Sequence, residues 1–284
     1  MTDRIDCSIA ALHLHPIKSC AGIAVDEALL IETGLELDRA WMIVDAGGEM
    51  ITQRDRPRLA LVRPRLRSDD MVLRAPGMLA LHVSLDAVEA PTRVRVWHDE
   101  VKAYDMGPLA AQWFSDFLGQ PVRLVRFDPD QKRLSDRSWA GDVKAENAFS
   151  DGFPLLVAST AALAGLNQRL ASRGLPPVTA ERFRANLWLD GLQAHDEDHL
   201  DEIVIAADGG PVRLKLVKPC ARCSIPNVDP ATGEAGHEPG DTLAGYRADA
   251  RVNGAITFGM NALILEGFDR LLRPGQAARA SWGF

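Results

Sequence analysis

The chain has 284 residues, a formal net charge of −7, and apolar and charged contents of 46% and 25%. This length suits one large domain or two of ordinary size. The acidic balance argues against a general nucleic-acid binder, which needs a basic surplus to match phosphates. Four cysteines are too few for a disulfide framework and favour a reducing compartment. The sequence has no apolar signal-peptide core and no run near the ~18 apolar residues of a membrane span, so we expect a cytoplasmic protein without membrane contact.

Short β-strands are predicted in the first part of the chain. Turn-forming clusters such as Ala46-Gly47-Gly48 separate apolar segments there. Close spacing of this kind is typical of a barrel or a sandwich and not of alternating strand–helix units. The predicted strands are 8–15, 40–44, 59–63, 71–74, 79–84 and 93–96.

Helical patterns come later in the chain. Over 108–118, Leu109 and three aromatic residues are spaced to share one face. Over 159–173, Ser159 is a candidate N-cap and Gly174 a candidate stop. The remaining predicted elements are short helices at 179–183 and 241–247 and strands at 203–206, 212–217 and 262–265.

Two of the four cysteines, Cys220 and Cys223, are three residues apart, and their chemistry largely decides the function. A structural zinc site needs four ligands, and only Cys7 and Cys20 remain to complete one. A thioredoxin-like motif opens a helix. Pro226 follows the motif closely and disfavours a long helix at this point. Buried inert thiols are a third interpretation.

The charges beside these cysteines favour a reactive thiol. Lys218 and Arg222 flank the pair, and nearby cations stabilise a thiolate. A thiolate is the form that binds a soft or high-valent metal. The segment therefore indicates a strand that ends in a loop presenting one reactive sulfur.

A second candidate site combines a lysine-containing loop with arginines. Lys18, Ser19 and the backbone N–H groups of a glycine-containing loop can hold a phosphate. Arg39 follows about twenty residues later, and the segment 53–58 adds three more arginines. Several arginines near one lysine in an acidic chain indicate an anionic ligand.

Two further segments precede apolar runs. Asp151 lies in a Ser-Asp-Gly-Phe-Pro sequence that by itself indicates a tight turn. Arg184 and Asn186 come just before the apolar residues 187–189. Their side chains suit a phosphate or the edge of a heterocycle, or alternatively a helix cap and a charged surface.

Taken in order, these segments resemble the MOSC family, named for the C-terminal domain of molybdenum-cofactor sulfurase. The resemblance is greatest to members with a MOSC N-terminal β-barrel domain, which include the mitochondrial amidoxime-reducing components and bacterial relatives. It covers nearly the whole chain. The segments that carry it are 16–20 (PIKSC), 38–41 (DRAW), 150–154 (SDGFP), 182–186 (RFRAN), 220–223 (CARC), 228–230 (VDP) and 258–259 (FG).

The resemblance implies a molybdenum cofactor, a pterin whose dithiolene holds molybdenum and which ends in a phosphate. Cys223 matches the cysteine that gives its thiolate to the metal, and Cys220 matches a frequent companion. Asp151 matches an acidic residue near the metal and is predicted to be catalytic. The predicted cofactor-binding residues are Lys18, Ser19 and Arg39 at the phosphate end, Arg184 and Asn186 along the pterin, and Arg222 beside the thiols.

The resemblance also implies a mainly β, mixed α+β fold with a few short helices. We expect a β-barrel-like domain over residues 1–125 packed on a MOSC-type β-barrel domain over 126–284. The polar segment 126–146 is interpreted as a surface connection between them, and the acidic segment 192–200 as an exposed loop.

The implied function is reduction of N-hydroxylated compounds such as hydroxylaminopurines, amidoximes and hydroxamic acids. The sequence has no cysteine after Cys223 that would serve an iron–sulfur domain and no stretch like the membrane anchor of the eukaryotic relatives. We therefore expect electrons from a separate ferredoxin- or cytochrome b5-like protein with its reductase. The alternative is a sulfur carrier that forms a persulfide on Cys223 during metal–sulfur cofactor assembly.

Overall fold

A closed β-barrel and a smaller group of sheets make up the fold of the computed structural model, which describes residues 4–87 and 90–283. Strand accounts for 41% and helix for 19%, which confirms the predicted mainly β, mixed α+β class. The strands are β1 (Arg4–Leu14), β2 (Ile23–Val25), β3 (Ala28–Ile31), β4 (Gly34–Leu35), β5 (Trp41–Val44), β6 (Arg63–Leu66), β7 (Asp70–Arg74), β8 (Leu81–Ser84), β9 (Pro91–Val96), β10 (Asp99–Asp105), β11 (Arg123–Phe127), β12 (Leu155–Ser159), β13 (Leu187–Asp190), β14 (Leu200–Ala207), β15 (Gly210–Ala221), β16 (Ala248–Asp249), β17 (Ala255–Glu266), β18 (Leu271–Leu272) and β19 (Ala277–Trp282). The helices are α1 (Gly107–Leu118), α2 (Arg137–Ala140), α3 (Thr160–Ser172) and α4 (Gly240–Ala244), with short 3-10 turns at Pro57–Leu61, Ala180–Arg182, Asp196–His199, Ile225–Asn227 and Ala250–Val252.

The barrel has seven strands in the order β12-β13-β1-β19-β14-β15-β17, and pairing of β12 with β17 closes it. Closure removes the unpaired strand edges that would otherwise have to be protected. Side chains alternate between the interior and the outside, as in β14, where Ile203 and Ile205 are buried on either side of the exposed Val204.

The first strand belongs to this barrel. β1 pairs with β13 through Leu12 and Leu187, and with β19 through Cys7 and Ala278. The barrel therefore uses a strand from the segment predicted to be N-terminal together with strands from the second half of the chain. The division at residue 125 stays a prediction.

The smaller group packs two sheets and α1 around a second core. Its sheets have the strand orders β5-β11-β10-β9 and β6-β7-β8. Trp41 and Phe114 are fully buried between these elements, and α1 contributes Trp113 and Phe117 to the same core. Leu109 differs from the prediction, because it lies at the start of α1 with 70% of its surface exposed and does not share the aromatic face.

Helix α3 follows the prediction closely. The Ser159 hydroxyl accepts a hydrogen bond from Ala162 N, and Gly174 follows the helix with φ of +73°. The acidic segment differs, because Asp196–His199 forms a 3-10 turn in which the buried Glu197 accepts hydrogen bonds from Ser159. The predicted strand at 59–63 is also wrong. Pro57, whose ring fixes φ near the helical value, starts a 3-10 turn there, and strand structure begins at Arg63.

Across residues 4–87 and 90–283, no helix has the length and apolar character needed to cross a membrane.

Candidate cofactor-binding site

The eight site residues predicted from the sequence line one cavity at an end of the barrel. Its walls come from the loop after β1, the segments leading into β5, β12 and β13, and the end of β15 with the loop that follows it. The space between the protein atoms that line it, including the part open to solvent, is about 810 Å³. The residues are Lys18, Ser19, Arg39, Asp151, Arg184, Asn186, Arg222 and Cys223.

Lys18 and Asp151 form an ion pair in this cavity. The buried Lys18 ammonium also donates a 2.9 Å hydrogen bond to the carbonyl oxygen of Phe149. Burial lowers the pKa of Lys18, and the Asp151 carboxylate opposes that shift. Desolvation acts to raise the pKa of Asp151, but the charges of Lys18 and Arg54 outweigh it and hold the pKa below its ordinary value. Asp151 is therefore an ionised carboxylate at neutral pH.

Arg39 holds several segments of the site together. Its guanidinium pairs with the buried Asp38 carboxylate and donates to Asn186 Oδ1 at 3.0 Å and to the Arg184 carbonyl oxygen at 2.8 Å. Asp38 also accepts a 2.7 Å hydrogen bond from the His15 backbone N–H. Desolvation acts to raise the pKa of Asp38, but Arg39 and His15 outweigh it and lower the pKa to about 2.

Asn186 also connects the strands around the cavity. Its Oδ1 accepts from the backbone N–H of Leu156 at 3.1 Å, and its Nδ2 donates to the His13 carbonyl oxygen at 3.3 Å. These bonds link the segment before β13 to both β12 and β1. Asn186 is almost fully buried, so it orients Arg39 more than it presents a free polar edge to the cavity.

Arg184 brings a half-buried cation with spare hydrogen-bonding capacity. One nitrogen donates to the Cys20 carbonyl oxygen, while Nη2 is buried and has no partner among the described residues. Burial and the neighbouring Arg39 lower the pKa of Arg184 to about 10, so the side chain stays charged at neutral pH. Buried donors are nearly always satisfied in folded proteins, and an orphaned guanidinium nitrogen in a cavity wall indicates an anionic ligand.

The two cysteines of the motif differ in their surroundings. Cys220 lies near the end of β15, is half-buried, and its Sγ lies 3.0 Å from Arg222 Nη1. Cys223 follows the strand, is exposed and lines the cavity. Arg222 also donates to the Phe183 carbonyl oxygen at 2.9 Å, and its buried Nε has no partner among the described residues. Cys223 is thus the sulfur that is available to a ligand.

The other two cysteines are inert structural thiols. Cys7 belongs to the barrel core and Cys20 to the core of the smaller group, and neither is among the described residues that line the cavity. Burial raises the pKa of Cys7 to about 11 and that of Cys20 to about 12, which keeps both protonated. No group of three or more His, Cys, Asp and Glu residues is arranged to hold a metal in the parts of the chain that the structure describes.

Backbone strain is concentrated at this cavity. Ser19, Arg39 and Arg184 adopt φ of +67°, +49° and +57°, a left-handed region that side chains other than glycine rarely enter. Such a conformation costs roughly 1–3 kcal/mol and persists only where its surroundings enforce it. Its recurrence at three cavity-lining residues supports a binding role for these loops.

Two residues at the edge of the cavity were not among the predicted site residues. Arg54 lines the cavity, and its guanidinium carbon lies 4.7 Å from the centre of the Trp97 ring. Trp97 occupies the tip of the β9–β10 hairpin with φ of +57° and donates a 3.2 Å hydrogen bond from Nε1 to Asp151. The arginine-rich segment 53–58 is a sequence signal for Arg54, whereas only the folded hairpin brings Trp97 to Asp151.

The sequence matches two family descriptions that together cover most of the chain. The MOSC N-terminal beta barrel domain matches residues 7–121, and the MOSC domain matches residues 144–279.

Curated relatives agree with these matches. The chain is 36% identical over 250 residues to mitochondrial amidoxime-reducing component 1 of Homo sapiens, which covers 84% of this chain and 72% of that protein. The chain is 36% identical over 252 residues to mitochondrial amidoxime reducing component 2 of Rattus norvegicus, which again covers 84% of this chain and 72% of that protein. The chain is also 30% identical over 270 residues to the molybdenum cofactor sulfurase of Homo sapiens, covering 89% of this chain and 29% of that protein.

Proposed function

Because the chain belongs to the MOSC family, with an N-terminal MOSC β-barrel domain and a MOSC domain, we propose that it is a molybdenum-cofactor-dependent reductase of N-hydroxylated compounds. The observation that carries the proposal is that one exposed thiol, Cys223, and several buried or half-buried cations line the same cavity. Relatives named amidoxime-reducing components support the substrate class.

The donor set of the cavity fits an anionic cofactor. Arg184 Nη2 and Arg222 Nε are buried without a partner among the described residues. Two unpaired donors of this kind indicate a ligand that accepts hydrogen bonds. Lys18 has one N–H beyond its bonds to Phe149 and Asp151. We propose that Ser19 and Arg184 hold the anionic end of the cofactor, while Arg39 and Asn186 keep Arg184 in place. Lys18 offers its remaining N–H beside Asp151, with which it is paired.

The thiol of Cys223 fits the metal end. Sulfur ligands suit a soft metal that already has dithiolene sulfurs, and Cys223 is exposed in the cavity while Cys220 is engaged by Arg222. When bound, the cofactor supplies the chemistry that uses two electrons and two protons to convert an N–OH group to N–H and water. The protein binds, orients and encloses the reactants.

Asp151 is proposed to orient a proton-bearing group near the metal end. Lys18 and Trp97 fix its carboxylate through hydrogen bonds, and its low pKa keeps it ionised at neutral pH. A carboxylate with so low a pKa accepts hydrogen bonds but is a weak base, and it has no proton to donate. Asp151 therefore suits positioning of an N–OH or water proton.

Replacement of Asp151 by asparagine should lower kcat by about 100-fold or more, the range typical for loss of a positioned acid–base group. Asparagine keeps the size of the side chain and an oxygen for Lys18, so the molybdenum content should stay near that of the wild type. Steady-state kinetics and metal analysis measure the two effects. Asp142→Asn, at a fully exposed carboxylate, is the matched control. An unchanged kcat in Asp151→Asn would remove Asp151 from the proposed mechanism.

We propose that a separate protein supplies the electrons, of the ferredoxin or cytochrome b5 type with its reductase. The substrates would be small N-hydroxylated molecules such as amidoximes, hydroxamic acids and hydroxylaminopurines.

A second function has specific support. The exposed thiol of Cys223 and the similarity to molybdenum cofactor sulfurase over 89% of the chain also suit a sulfur carrier. In that function Cys223 would carry a persulfide. The buried cations favour the reductase, because a sulfur carrier needs no cradle for an anion.

The decisive experiment is metal analysis of protein purified from a host that makes the molybdenum cofactor. The reductase predicts stoichiometric molybdenum and pterin, together with reduction of benzamidoxime by a chemical reductant. The sulfur carrier predicts a mass increase of one sulfur atom on Cys223 in molybdenum-free protein. Stoichiometric zinc without molybdenum would rule out the reductase.

A further inference from the structure

The chain carries a strongly basic segment within an acidic protein. Residues 54–74 contain seven arginines against three aspartates, a net charge of +4, whereas the whole chain has −7. The remainder therefore carries −11. This segment contains Arg54 of the cavity wall, and then the 3-10 turn and the strands β6 and β7.

Four of these arginines lie on the outside of the sheet β6-β7-β8. Arg63, Arg65 and Arg67 alternate with less exposed residues along β6 and just beyond it, and Arg74 ends β7. We call these four residues the arginine face. All are exposed, and within residues 4–87 and 90–283 none has a carboxylate at ion-pairing distance. The nearby Asp70 pairs with His82 instead.

The arrangement costs stability. Arg63 and Arg74 are directly opposite each other on neighbouring strands, and like charges in that position are destabilising. The neighbouring strand supplies Asp70 beside Arg67, but that carboxylate pairs with His82 and is not at ion-pairing distance from any of the four arginines. A cluster of this kind is better explained by an external anionic partner than by the fold.

The segment that leads into the arginine face contacts loops near the cavity. The carbonyl oxygen of Val62, next to Arg63, accepts a 3.0 Å hydrogen bond from Ala21 in the loop that contains Lys18 and Ser19. On the other side, the 3-10 turn packs against the turn after Cys223, since a Cβ on Gly233 would lie 3.1 Å from the Leu61 side chain. A partner on this face would sit beside the candidate cofactor site.

We infer that the arginine face docks the acidic surface of a small electron-carrier protein. The inference rests on the proposed reductase, whose electrons must enter near the cavity. Planar guanidinium groups on a sheet suit carboxylates, with which they form two parallel hydrogen bonds. Arg63 to Arg67 span about 13 Å at ~3.3 Å per residue, which suits a compact protein patch. A nucleic acid or a membrane surface extends further and would be repelled by the −11 charge of the remainder.

The test uses the double variant Arg65→Glu/Arg67→Glu in the full-length protein. Its control, Arg137→Glu/Arg279→Glu, makes the same charge change at exposed arginines outside the segment. The probes are a [2Fe–2S] ferredoxin and cytochrome b5, each titrated by calorimetry at low salt. We expect the carrier that binds the wild type to bind the test variant about tenfold or more weakly and the control nearly as before. The difference should vanish near 1 M salt, where the screening length is ~3 Å.

Activity separates this inference from the proposed function. With reduced methyl viologen, a small reductant that needs no docking, wild type and both variants should reduce benzamidoxime equally. Inactivity of all three would contradict the reductase, while the binding titration would still decide the docking face. Equal binding of a carrier to wild type and test variant, or binding of neither carrier, would overturn the inference. If the test variant bound the carriers as the wild type does but lost binding to a DNA duplex or to phosphatidylserine vesicles, the face would be assigned to that other partner.

Discussion

Replacing Cys223 by alanine is expected to remove molybdenum from the purified protein and to abolish reduction of N-hydroxylated substrates. Cys223 is exposed in the cavity, so the substitution should leave the free energy of unfolding nearly unchanged. Loss of groups that only support a metal ligand typically costs ~10–100-fold in metal affinity, and loss of the ligand itself should cost at least as much. Metal analysis, circular dichroism and activity measure the three effects.

Cys220→Ala is the matched control for this prediction. Its thiol lies half-buried against Arg222 and is predicted to be a neighbour of the metal ligand, so the variant should keep its molybdenum. Freed from Cys220, Arg222 would still donate to the Phe183 carbonyl oxygen. If Cys220→Ala lost the metal while Cys223→Ala kept it, the assignment of the two sulfurs would be reversed.

Replacing Arg39 by alanine is expected to lower the free energy of unfolding by about 3–5 kcal/mol, because it leaves a buried charge without its partner. The Asp38 side chain is only 2% exposed and that of Arg39 only 12%. The same change removes the hydrogen bonds that hold Asn186 and the Arg184 backbone, so cofactor retention should fall as well. Chemical denaturation of the cofactor-free protein isolates the effect on stability.

The double variant Asp38→Asn/Arg39→Met is the control that separates the charge from the contacts. It removes both charges and should recover a substantial part of the lost stability. A double variant as unstable as Arg39→Ala would show that the lost hydrogen bonds, and not the unpaired carboxylate, cause the effect.

The pH dependence of stability should distinguish wild type from Arg39→Ala. In the wild type the pKa of Asp38 is lowered to about 2. Its contribution to the free energy of unfolding is therefore complete above the pKa of an unfolded aspartate, near 4, and is lost as pH falls towards 2. Without Arg39, burial raises the pKa of Asp38, and the folded state then gains stability by taking up a proton as pH falls. The difference between the two proteins should therefore shrink on acidification.

Local chemistry allowed much of this fold and site to be predicted. Ser159 and Gly174 mark the ends of α3 because capping and left-handed φ depend on neighbouring residues. The predicted strand at 59–63 is wrong, because this apolar segment forms a 3-10 turn that begins at a proline. The predicted exposed loop at 192–200 is wrong at Glu197, which is buried despite its acidic surroundings. The turn follows from Pro57, whereas the burial of Glu197 depends on its contact with Ser159.

The sequence by itself determined the family, the mainly β class and the residues that converge on one cavity, because short motifs keep their residue types and order along the chain. The tertiary structure decided how those residues are used. Closure of the barrel through β1 and the packing of two cores bring Arg39, Asp151 and Cys223 to one cavity, and they bring Trp97 to Asp151. Contacts between residues more than fifty positions apart depend on strand pairing and burial, so no local pattern shows that Arg39 is engaged by Asn186 and the Arg184 carbonyl oxygen while Arg184 keeps an unpartnered nitrogen.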